Sequence, residues 1–468
     1  MERDQLEAIV SQVLDRIKTG NSPSPRAEAP KRGHGVFKTV ADAVGAAGEA
    51  QRTLIALPLE KRREIIANIR KRAAEDVRAL ATFAVEETGL GRVEDKIKKN
   101  LLVIYKTPGP EILEPIAYTG DDGLTLIERA PYGVIAAITP STNPTETILC
   151  NGIGMVSGGN TVVFNTHPGA KGVSAYVIDL INKASMEVGG PNNIMTVIES
   201  PTIESANELL RFKGIRLNVV TGGPAVVKAA MNAGKKAICG GPGNPPVVVD
   251  DAADLDQAAR GIIAGASFDN NVICCDEKET FVVEKVADKL LESLAGHGAV
   301  ILRNHQITRL EKLILTAEKD HTVTKWVGKN ASEYLKQIDV PFKGDPRLIV
   351  CEVGFDHPFV QHELLMPIMA VTRTKDVHEA IDMAVRAEHG FGHTASMYSK
   401  NIDNLHRMAR VSNVSIFVKN APNFAGLGFQ GEGYTSFTIA SPTGEGLTTA
   451  RNFTRERRCV LAGHFRIV

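Results

Sequence analysis

The chain of 468 residues lacks net charge: 54 Lys and Arg stand against 54 Asp and Glu. That balance argues against a polyanion-binding surface, because nucleic-acid binders carry a basic excess or stripe. No apolar run approaches the roughly 18 residues that span a bilayer, which excludes a membrane-embedded chain. Six cysteines over this length make no disulfide framework. None of them is paired at zinc spacing, so no metal site is expected. A secretory signal, a G-x-G-x-x-G fingerprint, a Walker A pattern and internal repeats are all missing. The expected setting is reducing and cytoplasmic, with no nucleic acid and no membrane as partners. What remains is an ordinary globular composition, 43% hydrophobic and 23% charged. At about 150 residues per domain, the length suggests two or three domains.

The first twenty residues stand apart. Leu6, Ile9, Val10, Val13, Leu14 and Ile17 form one apolar stripe at helical spacing, flanked by Glu2, Arg3, Asp4, Glu7, Asp15 and Arg16. Residues 21–35 follow as a linker rich in small polar residues, with Pro23, Pro25 and Pro30. Such a helix either docks on its own domain or is addressed to a partner's groove, and periodicity does not choose between these. From Val40 to Ala56 and from Pro58 to Thr88 the texture is helical. From Gly133 onward, short continuous apolar runs alternate with helical stretches: 133–138, 160–164, 194–198 and 217–220, then 280–284, 298–302 and 395–398. Continuous apolar strands between helices predict parallel sheets covered on both faces, hence an α/β chain with two α/β domains.

Four segments carry candidate chemistry. In Ser267-Phe268-Asp269-Asn270-Asn271-Val272-Ile273-Cys274-Cys275, a thiol stands between a polar loop and a strand. It is either a nucleophile with a lowered pKa or one of two inert core residues. Thr139-Pro140-Ser141-Thr142-Asn143-Pro144 follows the first strand, where α/β sheets form their ligand crevice. Asn143 there is either an amide donor to an oxyanion or a turn former before proline. Thr221-Gly222-Gly223-Pro224 is a strand-to-helix turn that admits a phosphate to a helix N-terminus. Ala237-Ile238-Cys239-Gly240-Gly241-Pro242-Gly243-Asn244-Pro245 reads as a glycine-rich bend. His389 and His393 have the i, i+4 spacing of a metal pair, but Gly390 and Gly392 between them favour a loop near the active site.

In this order and spacing, these segments resemble the aldehyde dehydrogenase superfamily from about residue 36 onward. Ser141–Thr147, Phe164–Lys171, Thr221–Pro224 and Phe268–Cys274 resemble its CoA-acylating branch. The tail over residues 1–33 looks like that of the propionaldehyde and acetaldehyde dehydrogenases of bacterial microcompartments, where it is an encapsulation peptide.

The resemblance implies an aldehyde dehydrogenase-like α/β fold. Residues 36–245 would be a Rossmann-type NAD-binding domain, 246–435 the catalytic domain, and 115–130 with 436–468 a small oligomerisation arm. Ahead of them would lie a targeting helix over 1–20 and the linker over 21–35. The implied reaction takes a short aldehyde, propionaldehyde favoured over acetaldehyde, with NAD and coenzyme A to acyl-CoA and NADH. Cys274 would be the nucleophile, and Asn143 with the Cys274 amide would hold the oxyanion. Glu363, in His362-Glu363-Leu364-Leu365-Met366-Pro367, would hold the nicotinamide ribose. Thr221, Gly222 and Gly223 would lie near the pyrophosphate. Thr139, Pro140, Asn165, His167 and Pro168 would lie around the nicotinamide and adenosine.

Where hydrolytic relatives place a water-activating Glu, this chain has Ile238, which is expected if a thiol rather than water releases the acyl group. A hydrolytic enzyme is disfavoured on that ground. A bifunctional aldehyde–alcohol dehydrogenase is disfavoured because the chain ends at 468. A non-enzymatic shell organiser is disfavoured because Cys274, Asn143 and Glu363 occur together. A homodimer or homotetramer inside a bacterial microcompartment, bound to shell or cargo proteins through residues 1–20, completes the expectation.

Overall fold

The computed structural model describes residues 33–468; the expected helix over 1–20 and most of the linker lie outside the described residues. Two compact units emerge. The first takes the described residues up to Glu87, Ile97–Gly240 and Tyr434–Val468; the second takes Thr88–Lys96 and Gly241–Gly433. Among the described residues, no helix is long and apolar enough to cross a membrane.

The first unit is built on a six-stranded sheet. Its order is Val36–Phe37, Met195–Ile198, Thr161–Thr166, Val134–Thr139, Ile215–Thr221, Lys236–Gly240, and every pairing is parallel. The four inner strands read as unbroken apolar runs because both of their faces are covered. Val134–Thr139 and Thr161–Thr166 are buried at every position. From Val134–Thr139, successive strands step outward to one side through 161–166 and 195–198. The chain then crosses back to add 215–221 and 236–240 on the other side. The order therefore reverses at Val134–Thr139, and the loops after it and after Ile215–Thr221 open at the switch point, where α/β sheets hold ligands.

Helix Pro144–Ser157 leaves that loop and is buried along its whole length, which is why its sequence shows no polar face. The expected single helix over 58–88 is two, Leu59–Glu75 and Val77–Thr88. Asp76 breaks the run: its backbone leaves helical geometry, and its carboxylate accepts the Tyr176 hydroxyl. Lys236–Gly240, expected as part of a bend, is an edge strand that leads into the glycines.

A three-stranded antiparallel sheet also belongs to this unit. Gly123–Pro131 lies between Ile116–Gly120 and Thr454–Ala462. Residues 455–462 of the outer strand are all exposed.

The second unit holds a seven-stranded, wholly parallel sheet in the order 300–302, 349–352, 368–374, 279–283, 246–249, 394–398, 416–419. Separate apolar clusters cover its two faces. One centres on Phe281, Tyr334, Ile349, Phe359 and Met397, the other on Val247, Ile262, Val282, Leu290 and Met369. A two-faced core of this kind leaves the strand ends and their loops as the places where chemistry can sit.

Candidate active site

In the first unit, Thr139, Pro140 and Asn143 sit where strand Val134–Thr139 meets helix Pro144–Ser157. Asn143 is the N-cap, but its side chain makes no capping bond. Its Oδ1 accepts from Lys99 Nζ at 2.5 Å, and its Nδ2 donates to Thr142 Oγ1 at 3.2 Å. The turn-former alternative thus describes its backbone, while its amide answers to a buried lysine. Lys99 also faces Glu146 Oε1 at 3.5 Å, and both side chains are fully buried. The Thr139 hydroxyl is buried and, among the described residues, has no hydrogen-bond partner, as an atom that waits for a ligand would be.

Two helices start near this crevice, and their N-termini differ. Lys171–Glu187 is closed by Glu87, whose two oxygens accept from the Gly172 and Val173 amides at 2.7 Å each. A carboxylate there already uses the positive end of that helix. Pro224–Met231 starts from Gly223, which has open space where a Cβ would stand and no side-chain cap. Of the two, only the second presents an uncapped start for an anion. Thr221 Oγ1 is tied to Thr438 Oγ1 at 2.7 Å. Asn165 is spent on the protein, with its Oδ1 accepting from Ser205 and its Nδ2 donating to the Thr202 carbonyl. His167 and Pro168 are exposed beyond the strand end.

The second unit holds Cys274 and Glu363. The loop before Cys274 contains three consecutive residues with left-handed backbone, Asp269, Asn270 and Asn271, at φ 47, 56 and 66°. Such conformations cost of order 1–3 kcal/mol each and persist only where surroundings impose them. Here each side chain is gripped. Asp269 Oδ2 pairs with Lys96 Nζ at 2.9 Å, both residues fully buried, and Asp269 Oδ1 accepts from the Arg92 amide at 2.7 Å. Asn270 bonds Arg92 Nε and the Gly328 carbonyl. Asn271 Nδ2 donates to the carbonyls of Ala266 and Glu277 at 2.9 Å each. Lys278 then spans the loop, donating to Asn271 Oδ1 at 2.6 Å and to the Ile273 carbonyl at 3.0 Å.

Cys274 stands partly exposed, whereas Cys275 beside it is fully buried. The Cys275 carbonyl accepts from Asn423 Nδ2 at 2.9 Å. Burial pushes the Cys274 thiol up to about 12; the negative charge of Glu363 adds to the rise and the Lys278 ammonium opposes it. Burial likewise lifts the Glu363 carboxyl to about 7. Gly243 is the close neighbour of this pair: a Cβ there would meet the Cys274 carbonyl oxygen at 2.7 Å and the His393 ring at 3.0 Å. Gly243 of the bend therefore leaves room for the Cys274 loop.

Several residues escaped the sequence reading. His393, expected in a loop near the active site but given no role, is fully buried beside Gly243. Its Nδ1 bonds Thr394 Oγ1 at 2.8 Å, its Nε2 has no partner among the described residues, and burial holds its ring neutral by lowering it to about 3. Lys96, Lys99 and Lys278 are buried cations that no motif announces. The only signal available for Lys96 and Lys99 is their one-turn spacing on helix Val93–Lys106, and solvated lysines show that spacing too. Ile238, expected from the resemblance to stand in place of a water-activating Glu, is a fully buried core residue of its strand.

Comparison with known proteins places this geometry. Residues 22–441 match the profile of the aldehyde dehydrogenase family. The chain is 46% identical to the acetaldehyde dehydrogenase (acetylating) EutE of Escherichia coli, and 41% identical to a propanal dehydrogenase (CoA-propanoylating) of Salmonella typhimurium, each match covering 100% of both chains. Among solved structures, a propionaldehyde dehydrogenase from the Clostridium phytofermentans fucose utilisation bacterial microcompartment superposes with TM-score 0.91 at 44% identity. That match covers 93% of this chain and 100% of the other. A Rhodopseudomonas palustris propionaldehyde dehydrogenase with bound CoA and an acylated cysteine gives 0.90 at 46% identity, covering 92% and 98%.

Two outcomes follow from the site. Lys96→Met leaves Asp269 charged and buried without its cation, so the protein is expected to lose about 3–5 kcal/mol of stability, read as a lower urea midpoint with slower alkylation of Cys274. Glu363→Gln removes a charge that opposes the thiolate. Because the Cys274 thiol is raised, alkylation by iodoacetamide climbs with pH from 7 toward 12 in the unmodified protein. In Glu363→Gln the same curve moves to lower pH, with a rate at pH 8 higher on the order of tenfold.

Proposed function

This chain belongs to the aldehyde dehydrogenase family, and from that premise we propose that it is a CoA-acylating aldehyde dehydrogenase. It takes a short aldehyde with NAD and coenzyme A to acyl-CoA and NADH. The observation that carries the reading is the partly exposed Cys274 thiol on a fully anchored loop, in a chain whose counterpart of the water-activating Glu is the core residue Ile238. Acetaldehyde and propionaldehyde differ by one methylene, worth about 1–3 kcal/mol of discrimination; both fall within the reading, with propionaldehyde as the favoured substrate.

The residues support a dinucleotide in the first unit. The unpartnered Thr139 hydroxyl, the open start of the helix at Gly223 and the loops at the switch point fit its nicotinamide and pyrophosphate ends. We assign Pro140, Asn165, His167 and Pro168 to the remainder of that surface, and Glu363 to the nicotinamide ribose. When bound, the dinucleotide supplies the acceptor for hydride.

The protein's own groups do the rest. Cys274 Sγ, as thiolate, adds to the aldehyde carbonyl carbon, and the carbonyl electron pair becomes an alkoxide. Asn143 Nδ2 and the Cys274 backbone N–H donate to that oxygen. Loss of hydride reforms the carbonyl as a thioester on Cys274. The CoA thiol, its proton released to solvent, then attacks the thioester. The acyl–sulfur bond to Cys274 breaks, and the thiolate returns. With no carboxylate at Ile238 to activate water, the thioester waits for the thiol.

We further propose that the exposed strand Thr454–Ala462, with Val460 and Leu461 on its surface, pairs subunits in a homodimer or homotetramer. Residues 1–20 would address the enzyme to shell or cargo proteins of a bacterial microcompartment.

The decisive experiment follows NADH absorbance with and without CoA. With CoA, turnover is sustained. Without it, NADH formation is expected to stop near one equivalent per subunit, and Cys274→Ser abolishes both phases. Sustained fast oxidation without CoA would overturn the reading. Deleting residues 1–20 is expected to leave activity in solution unchanged and to abolish co-purification with microcompartments; a collapse of activity would instead assign the helix to the fold.

A further inference from the structure

We propose that both amides assigned to the alkoxide are set by a buried lysine bound at the amide oxygen: Lys99 for the Asn143 side chain and Lys278 for the Cys274 backbone. The inference rests on the reading of Asn143 and the Cys274 N–H as oxyanion donors, and it adds two positioning residues to that reading.

Lys99 is fully buried, with Nζ 2.5 Å from Asn143 Oδ1 and 3.5 Å from Glu146 Oε1. An ammonium offers donors only. Asn143 must therefore turn its oxygen to Lys99 and its Nδ2 the other way, because a flipped amide would set N–H groups against the cation. The lysine thus decides which end of the Asn143 amide faces the crevice.

Lys278 does the same for a peptide group. It is 3% exposed, and its Nζ lies 3.0 Å from the Ile273 carbonyl oxygen. Two further bonds, 2.6 Å to Asn271 Oδ1 and 3.3 Å to the Asn271 carbonyl, hold the ammonium in place. The Ile273 carbonyl and the Cys274 N–H belong to one planar trans peptide unit and point in opposite directions. Fixing that carbonyl toward Lys278 fixes the Cys274 N–H away from it. The Asp276 amide takes the same oxygen at 3.2 Å, so the peptide plane is held from two sides.

In both cases the cation also polarises. A positive charge at an amide oxygen draws electron density from nitrogen and makes the N–H a stronger donor, and burial keeps water from screening the effect. Neither lysine needs to touch the substrate.

Two rates on the full-length protein test this. The first is the single-turnover burst of NADH with propionaldehyde and NAD. The second is alkylation of Cys274 by iodoacetamide, followed by peptide mass spectrometry. Alkylation uses the same thiolate but develops no oxyanion. The Lys99→Met/Glu146→Gln variant, which removes both charges of that buried pair together, is expected to slow the burst about 10- to 100-fold with alkylation unchanged. Adding Asn143→Ala to it should cost nothing beyond Asn143→Ala alone. Lys278→Met, with Lys278→Gln as the milder form, slows both rates because the ammonium also favours the thiolate, but it should slow the burst at least about tenfold more. Lys278→Arg, which keeps a donor-only cation, should recover most of that excess. Equal losses in both rates for the Lys278 variants, or an unchanged burst in the Lys99 variant while Asn143→Ala is slow, would overturn the inference alone. A full burst in Asn143→Ala would overturn the oxyanion reading beneath it.

Discussion

Asp269, Asn270 and Asn271 carry the Cys274 loop in a backbone conformation that L-residues avoid, and the buried Lys96–Asp269 ion pair is the anchor of that run. Taking both charges out of water is costly, and such a pair contributes little net stability over a well-packed apolar one. Its value here is geometric. Charged, hydrogen-bonded side chains over-determine a run that would otherwise relax within a residue or two. Asx residues suit the task, because their short side chains tolerate left-handed backbone and reach nearby partners. With the run held, Ile273 and Cys274 follow in a fixed plane, Lys278 closes the loop on itself, and the strand Glu279–Val283 enters the sheet in register with Pro246–Val249 and Ile368–Thr374.

The charge balance around this loop differs from what the residue names suggest. Asp276, Glu277 and Glu279 are buried within five residues of Cys274. Burial lifts Glu277 to about 8 and pushes Glu279 well above the ordinary carboxylate range. At neutral pH, protonation at these two carboxyls spares the buried loop their negative charges, while the Lys278 ammonium keeps three acceptors. A chain with zero formal net charge can in this way carry a sharply defined local field at one cysteine.

Much of the sheet architecture was legible in the sequence because parallel strands covered on both faces leave uninterrupted apolar runs, as at Val134–Ile138 and Leu217–Val220. Strands such as Ile349–Glu352 and Ile416–Lys419 were not, because apolar runs of only three or four residues are too short to be told from a buried turn or helix end by pattern alone. Asp76 was invisible for a related reason: its break depends on Tyr176, a hundred residues away. At the site, the positions of Cys274, Asn143 and Glu363 came from resemblance to a family. The structure adds what holds two of them, namely Lys99 behind Asn143 and the gripped run before Cys274. Nothing in the sequence separates Lys96 and Lys99 from solvated lysines, since burial of a lysine is a property of what packs over it. The two glycines before His393 marked a loop near the active site, but that its ring is fully buried depends on what packs over it.

The high pKa of Cys274 has a consequence for how the protein endures between turnovers. A thiol held at about 12 presents a vanishing fraction of thiolate at neutral pH, and peroxides and stray electrophiles attack the thiolate. Cys150, Cys239, Cys275 and Cys351 are shielded by burial; Cys274, though partly reachable, is shielded by its protonation state. In the resting protein the one partly reachable cysteine of this loop is thus biased toward its less reactive thiol form, and the charge placed beside it by ligands sets how far that bias is relieved.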